Sequence, residues 1–212
     1  MIRSRPVPGI HMRAFDQAVS IQAPPLCPDL SLWLIDAEVD LEAGCEALHE
    51  GESPPYWAFC WGSGLALARW LLDHPEAVSG RAVVDFGAGS GVAGIAAARA
   101  GAASVLAVDV DPGARDAIRA NAELNGVRVG VGDTTPDRWD VLLASDVLYE
   151  SSLRPVLEAL RATARRTGAT LLVAEPDRPG NPGHQGELLA EYAVRTFPDV
   201  DSPARTARVY RL

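Results

Sequence analysis

The sequence predicts an α/β fold: a doubly wound, mostly parallel sheet of seven strands with helices on both faces. Three observations predict it. Short apolar runs over 83–86, 104–108, 127–131 and 141–144 alternate with Ala-rich stretches of helical length over 92–100 and 112–125. The runs are predominantly apolar rather than alternating, as strands buried on both faces of a parallel sheet are. A glycine-rich turn, Gly87-Ala88-Gly89-Ser90-Gly91, joins the first run to the first of these helical stretches. A strand, a glycine turn and a helix in that order is the opening of a Rossmann-like sheet.

The remaining elements follow from punctuation and period. Residues 1 to about 28 carry Pro6, Pro8, Pro24, Pro25 and Pro28 and are expected to drape over the domain, with a short helix over 12–19 as their one regular element. Residues 30–51 read as a short helix or a hairpin. Four aromatics stand between turn residues over 54–64, and 65–73 reads as an amphipathic helix. Beyond the glycine turn and its strands, 153–166 predicts a helix, 170–174 a fifth strand, and 185–192 a helix. Two closing strands over 193–197 and 206–212 complete the seven. The chain is thus expected to form one structural domain, with an N-terminal extension over 1–79 and a core over 80–212.

Composition narrows the function. A chain of 212 residues that is 48% hydrophobic can bury one substantial core. No apolar run approaches the roughly 20 residues of a membrane span, and the first residues have charge but no apolar signal core, so the cytoplasm is the expected location. Three cysteines (Cys27, Cys45, Cys60) and four histidines (His11, His49, His74, His184) are scattered with no metal-ligand spacing, so no metal is expected. The net charge of −9 argues against a nucleic-acid groove. All 19 basic residues are arginine, which excludes a P-loop lysine, a Schiff base and a lysine general base. The same bias, with abundant alanine, suggests a high-GC bacterial genome.

The glycine turn is a ligand site by its residue types. Glycines let the backbone approach a ligand, and the following helix offers unpaired N–H donors at its positive end. The ligand is less determined, because Gly89-Ser90-Gly91-Val92-Ala93-Gly94 also satisfies the dinucleotide pattern, and Asp109 lies 20 residues beyond Gly89, where a ribose hydroxyl would be read. Three features favour S-adenosylmethionine over NAD. Asp85, two positions before the first glycine, can anchor the turn or a ligand's ammonium but would repel a pyrophosphate. Asp133 closes the third strand, where it can accept from an adenine amino group. Only 79 residues follow Asp133, too few for a second mononucleotide half and a substrate domain.

Together these residues resemble the class I, seven-strand methyltransferases over about 80–212. The resemblance implies that Gly87, Ala88, Gly89 and Gly91 hold the methionine part. Asp109 then holds the ribose and Asp133 meets the adenine, with Val110 and Thr134 beside them. Two further motifs, Pro55-Tyr56-Trp57-Ala58-Phe59-Cys60-Trp61-Gly62-Ser63-Gly64 and Ser145-Asp146-Val147-Leu148-Tyr149-Glu150, are similar to the protein-lysine branch. Within it they resemble the electron transfer flavoprotein β-subunit lysine methyltransferases, as does the stretch Leu26 to Leu30. The chain departs from that subgroup at Leu148, at Glu150 and at Gly62-Ser63.

The resemblance implies a protein partner bearing a target lysine, electron transfer flavoprotein β-subunit among the candidates, and S-adenosylmethionine as cofactor. Asp146 is expected at the ligand edge of strand four, able to orient an amine and take its proton, or else to serve as a helix N-cap; Tyr149 adds a face and a hydroxyl. Trp57, Phe59 and Trp61 are expected either to wall the methyl-donor site or to fill the core, the core being the commoner place for such a cluster and favoured for Trp57 and Phe59; Ser145 is expected to touch the adenosine. Nine acids and no Arg or Lys lie between Ala14 and Ala68, a field able to steer a basic segment or simply a solvated face. A small-molecule N-methyltransferase with a nicotinamide-like acceptor, and an NAD-binding sensor module without chemistry, are the alternatives.

Overall fold

The computed structural model describes residues 19–39, 54–146, 154–177, 186–198 and 205–212. Seven strands form one sheet: β3 (Ala82–Phe86), β4 (Ser104–Val108), β5 (Gly130–Gly132), β6 (Val141–Ser145), β7 (Thr170–Pro176), β8 (Glu187–Val194) and β9 (Arg205–Arg211). Their order is β5-β4-β3-β6-β7-β9-β8. The first five are parallel, and β9 runs antiparallel to both β7 and β8.

The strand sequences are apolar because both sheet faces are covered. Val83, Val141, Leu143 and Leu172 point to one side, where α1 (Gly62–Asp73) and α2 (Val92–Arg99) pack. Val84, Leu142, Ala144, Leu171 and Val173 alternate to the other side, against Leu157, Leu160 and Ala164 of α4 (Arg154–Thr167). That is the two-residue strand period expressed with apolar side chains at both phases.

Between β4 and β5 runs α3 (Pro112–Leu124), which starts where Asp111 accepts the Gly113 N–H at 2.8 Å and Pro112 fills a position that needs no donor. Its Ala114 and Ala117 pack on a second, two-stranded sheet formed by β1 (Val19–Gln22) and β2 (Leu32–Ile35).

The N-terminal region differs from the sequence reading. Its proline-rich stretch contains a strand, β1, and among the described residues of 30–51 the strand β2 pairs with it upstream; the helix expected over 12–19, up to residue 18, and the rest of 30–51 lie outside the described residues. Alternating burial against α3 stabilises this pair where local propensity gives little. The helix expected over 185–192 is instead the edge strand β8, and the strand expected over 193–197 is only its end. Glu, Leu and Ala favour a helix weakly, and pairing with β9 overrides that preference. Cross-strand ion pairs Glu191–Arg208 at 2.6 Å and Glu187–Arg211 at 3.1 Å mark the pairing. No helix among the described residues is long and apolar enough to cross a membrane.

Candidate active site

The site lies at the carboxyl ends of β3, β4 and β6. The chain winds outward from β3 through β4 to β5 and then crosses to β6 on the other side of β3, leaving the crevice in which such sheets take ligands. Gly87, Gly89 and Gly91 all have positive φ, at 68°, 53° and 80°, a region that strains other residues. The turn is pinned to the neighbouring strand: Gly87 and Ala88 donate their N–H groups to the Val108 carbonyl at 2.9 and 3.1 Å. Gly91 then starts α2.

Asp85 sits beneath this turn, 2% exposed, its Oδ2 accepting the Gly94 N–H at 2.8 Å. It therefore satisfies one of the donors that the first turn of α2 leaves unpaired. Burial pushes its carboxyl up to about 7; the Gly94 N–H opposes the rise and the Asp109 charge adds to it. A Cβ at position 94 would stand 3.0 Å from Asp85 Oδ2, so glycine there permits the contact.

Asp109 follows β4 and reaches back to the turn. Its Oδ2 accepts the Gly89 N–H at 2.9 Å and its Oδ1 the Asp111 N–H at 3.0 Å. A carboxylate oxygen accommodates about two donors, so each keeps one acceptor position, the number that two vicinal hydroxyls need. The turn itself is open at Gly89, where a Cβ would meet nothing within 4 Å. Val110, 85% exposed, offers an apolar face beside it. The Asp109 N–H holds the Gly132 carbonyl at 3.1 Å, which keeps the end of β5 close, and Asp133 and Thr134 follow there, both exposed.

The second half of the site forms where β6 ends. Asp146 has a left-handed backbone, φ 53°, and its Oδ2 accepts the Ser63 N–H at 3.2 Å. Helix α1 begins after Trp61 with no capping side chain of its own, so Asp146 caps it from across the molecule. The N-cap alternative is realised, but for α1. Ser145 lies against the same helix: a Cβ at Gly64 would stand 3.4 Å from its Oγ.

Trp61 is 37% exposed; its Nε1 donates to the Tyr56 carbonyl at 3.0 Å, and its ring meets those of Tyr56 and Phe59 at 6.2 and 6.0 Å. Of the two places open to Trp57 and Phe59, they take the core, buried among Val19, Ile35, Ala114 and Ala117, because α3 and the small sheet leave an apolar gap that they fill. Tyr149, with Leu148 and Glu150, lies outside the described residues.

Known proteins are similar to this one over much of the chain. An electron transfer flavoprotein β-subunit lysine methyltransferase from Xenopus laevis is 36% identical over 185 residues, 80% of this chain and 73% of its own length. The chain belongs to the electron transfer flavoprotein β-subunit lysine methyltransferase family.

The Rattus norvegicus member of the family is 39% identical over 153 residues, 67% of this chain, and the match spans 60% of that relative's length. Residues 69–163 match the family model described as ribosomal protein L11 methyltransferase (PrmA). A solved structure titled as a putative SAM-dependent methyltransferase from Streptococcus mutans shares the fold, with a TM-score of 0.60 at 11% identity, covering 92% of this chain and 56% of that one.

In this family member the structure also brings in residues that sequence reasoning missed. Asn121 of α3 is wholly buried and bonded to the Ser90 carbonyl in the glycine turn at 2.8 Å. Ser90 Oγ lies 3.7 Å from Cys60 Sγ, a thiol that burial pushes up to about 12 and so keeps neutral. The signal for Asn121 was its place on the helix face of Ala114 and Ile118, where a polar side chain needs an interior partner.

Proposed function

We propose that this chain transfers the methyl group of S-adenosylmethionine to a lysine side chain of a protein, with electron transfer flavoprotein β-subunit as the acceptor. The observation that carries the cofactor reading is the Asp109 carboxylate, tied to Gly89 and open to two further donors, with the glycine turn unobstructed at Gly89. The relatives' own names support the lysine acceptor. An all-arginine, Ala-rich composition supports a bacterial, cytoplasmic setting. The dinucleotide reading is weaker, because the Asp85 carboxyl lies beneath a turn where a pyrophosphate requires donors.

When bound, the cofactor supplies a methyl group made electrophilic by its sulfonium. Asp109 would hold its ribose hydroxyls, Asp133, Thr134 and Val110 its adenine, and Gly87 to Gly91 its methionine part, with Ser145 close to the adenosine. The protein's task is alignment, which contributes roughly 7–11 kcal/mol in well-oriented reactions. A lysine acceptor must also lose its proton, at a cost of about 4 kcal/mol near pH 7.4 from a reference pKa near 10.4. The Trp61 ring disfavours water around the amine, and Asp146, with Tyr149, orients the nitrogen and takes or relays the proton.

The chain has no lysine, so lysine-bound label cannot come from self-methylation. Incubation with methyl-tritiated S-adenosylmethionine and purified, unmethylated electron transfer flavoprotein β-subunit should place label on lysine of that subunit. Label confined to small molecules in a lysate would defeat the protein-lysine reading in favour of a small-molecule N-methyltransferase. Label on other lysate proteins but not on the flavoprotein would defeat the named acceptor alone.

A further inference from the structure

Asn121 joins two parts of the molecule that are far apart in sequence. Its Nδ2 donates to the Ser90 carbonyl at 2.8 Å, 31 residues away, and its Oδ1 accepts the Trp33 N–H of β2 at 2.7 Å, 88 residues away. The side chain is fully buried, so neither bond is shared with bulk water. One helical turn earlier, Ile118 fits against the turn: a Cβ on Gly91 would stand 3.2 Å from Ile118 Cγ1. One turn later, Asn125 grips Ser31, accepting its N–H at 3.1 Å and donating to its carbonyl at 2.6 Å, and also donates to the Asn121 backbone carbonyl at 2.7 Å.

The Ser90 carbonyl and the Gly91 N–H belong to one peptide plane. That plane is flanked by Ser90 and by Gly91, a left-handed glycine with no Cβ to restrict its rotation, and left-handed Gly89 stands one residue before it. It is fixed at both ends, by Asn121 on the carbonyl and by the Ala88 carbonyl on the Gly91 N–H at 2.7 Å. Gly89, the residue immediately before Ser90, carries the N–H that orients Asp109.

We propose that Asn121 is a positioning residue for the cofactor turn, and that through it the β1–β2 sheet becomes part of the hold on that turn. Asn121 touches no cofactor atom; it removes the freedom that the glycines introduce, so that less ordering remains to be done on binding. The inference rests on reading the turn as the S-adenosylmethionine site.

Asn125→Ala separates this role from simple attachment of the small sheet, since the Asn125 side chain bonds Ser31 and the Asn121 backbone carbonyl, and neither contact involves the Asn121 side chain or the turn. The measurements are adenosylhomocysteine affinity by calorimetry, KM for S-adenosylmethionine, kcat at saturation, and Tm. Asn121→Ala should weaken adenosylhomocysteine about tenfold, as loss of one bond to a buried acceptor does, with KM rising in step and kcat at saturation within about twofold. Asn125→Ala should lower Tm comparably while leaving affinity within about twofold of wild type.

Wild-type affinity in Asn121→Ala, or an equal loss in Asn125→Ala, would overturn the proposal. If Asn121→Ala does not fold, Asn121→Ser carries the same comparison. A wild-type protein that binds no adenosylhomocysteine would overturn the cofactor reading itself, a result distinct from equal binding by wild type and variant.

Discussion

Asp146 accepts the backbone N–H of Ser63 at 3.2 Å across 83 residues of sequence, so the segment after β6 and the aromatic segment before α1 are held at one point. Two demands meet in this one side chain: a cap for a helix that has none of its own, and a carboxylate at the ligand edge of the sheet. Asn satisfies the first without the second, because it accepts the same N–H and tolerates a left-handed backbone. Asp146→Asn should therefore keep stability within about 0.5 kcal/mol of wild type while kcat falls about 10²–10⁴-fold. Asp146→Ala should lose activity and also about 1–2 kcal/mol of stability. Urea unfolding beside steady-state kinetics separates the two; a fully active Asp146→Asn would reduce the residue to its capping role.

The three glycines of the turn should not respond alike. Gly91→Ala meets both a φ of 80° and the Ile118 side chain, so it should cost roughly 1–3 kcal/mol of stability. Gly89→Ala has a φ of 53° but nothing within 4 Å of the added methyl, so its stability cost should stay near 1 kcal/mol. That methyl enters the open space at the turn, and adenosylhomocysteine affinity should fall at least about tenfold. Melting curves and calorimetry on both variants would contradict this if affinity and stability fell in the same proportion.

The glycine turn, Asp109 and the central strands were legible because each answers to a local rule. A strand covered on both faces carries apolar residues at both phases of its period, and a chain that must turn left-handed three times in five residues needs glycine there. The Asp146–Ser63 cap and the Asn121 bridge answer to no local rule, since their partners are 83, 31 and 88 residues away. Edge strand β8 was hidden for a related reason: its Glu, Leu and Ala carry helical preference, and only the arrival of β9 decides against it. Trp57 and Phe59 were open to two readings, because aromatics close to a motif serve a site or a core alike, and only the apolar gap left by α3 and the small sheet decides for the core.

Asp109 should carry more of the cofactor affinity than any single glycine. Its two oxygens are each held by one backbone N–H and each have one acceptor position left. Charge-assisted hydrogen bonds contribute about 1.5–3 kcal/mol each, so Asp109→Ala should weaken adenosylhomocysteine at least about 100-fold. Asp109→Asn keeps one acceptor oxygen and should fall between. Calorimetric titration that finds Asp109→Ala within threefold of wild type, where roughly 0.6 kcal/mol separates them, would remove the residue from the cofactor site.

Asp85 gives stability a pH dependence whose direction follows from its burial. Its carboxyl titrates near 7 in the folded protein and near 3.9 in an unfolded chain. Between these values the folded state holds a proton that the unfolded state has released. The contribution is thus complete below about pH 4, declines as the pH rises toward 7, and is constant above, a change of a few kcal/mol. Asp85→Asn retains an oxygen for the Gly94 N–H, bonded in the wild type at 2.8 Å, and carries no charge at any pH. Urea unfolding at intervals from about pH 4 to 8 should show the variant gaining on wild type up to pH 7 and keeping a fixed lead beyond it. A difference that stays constant across the whole range would mean that Asp85 is ionised in the folded protein from the start, and that the Gly94 N–H outweighs its burial.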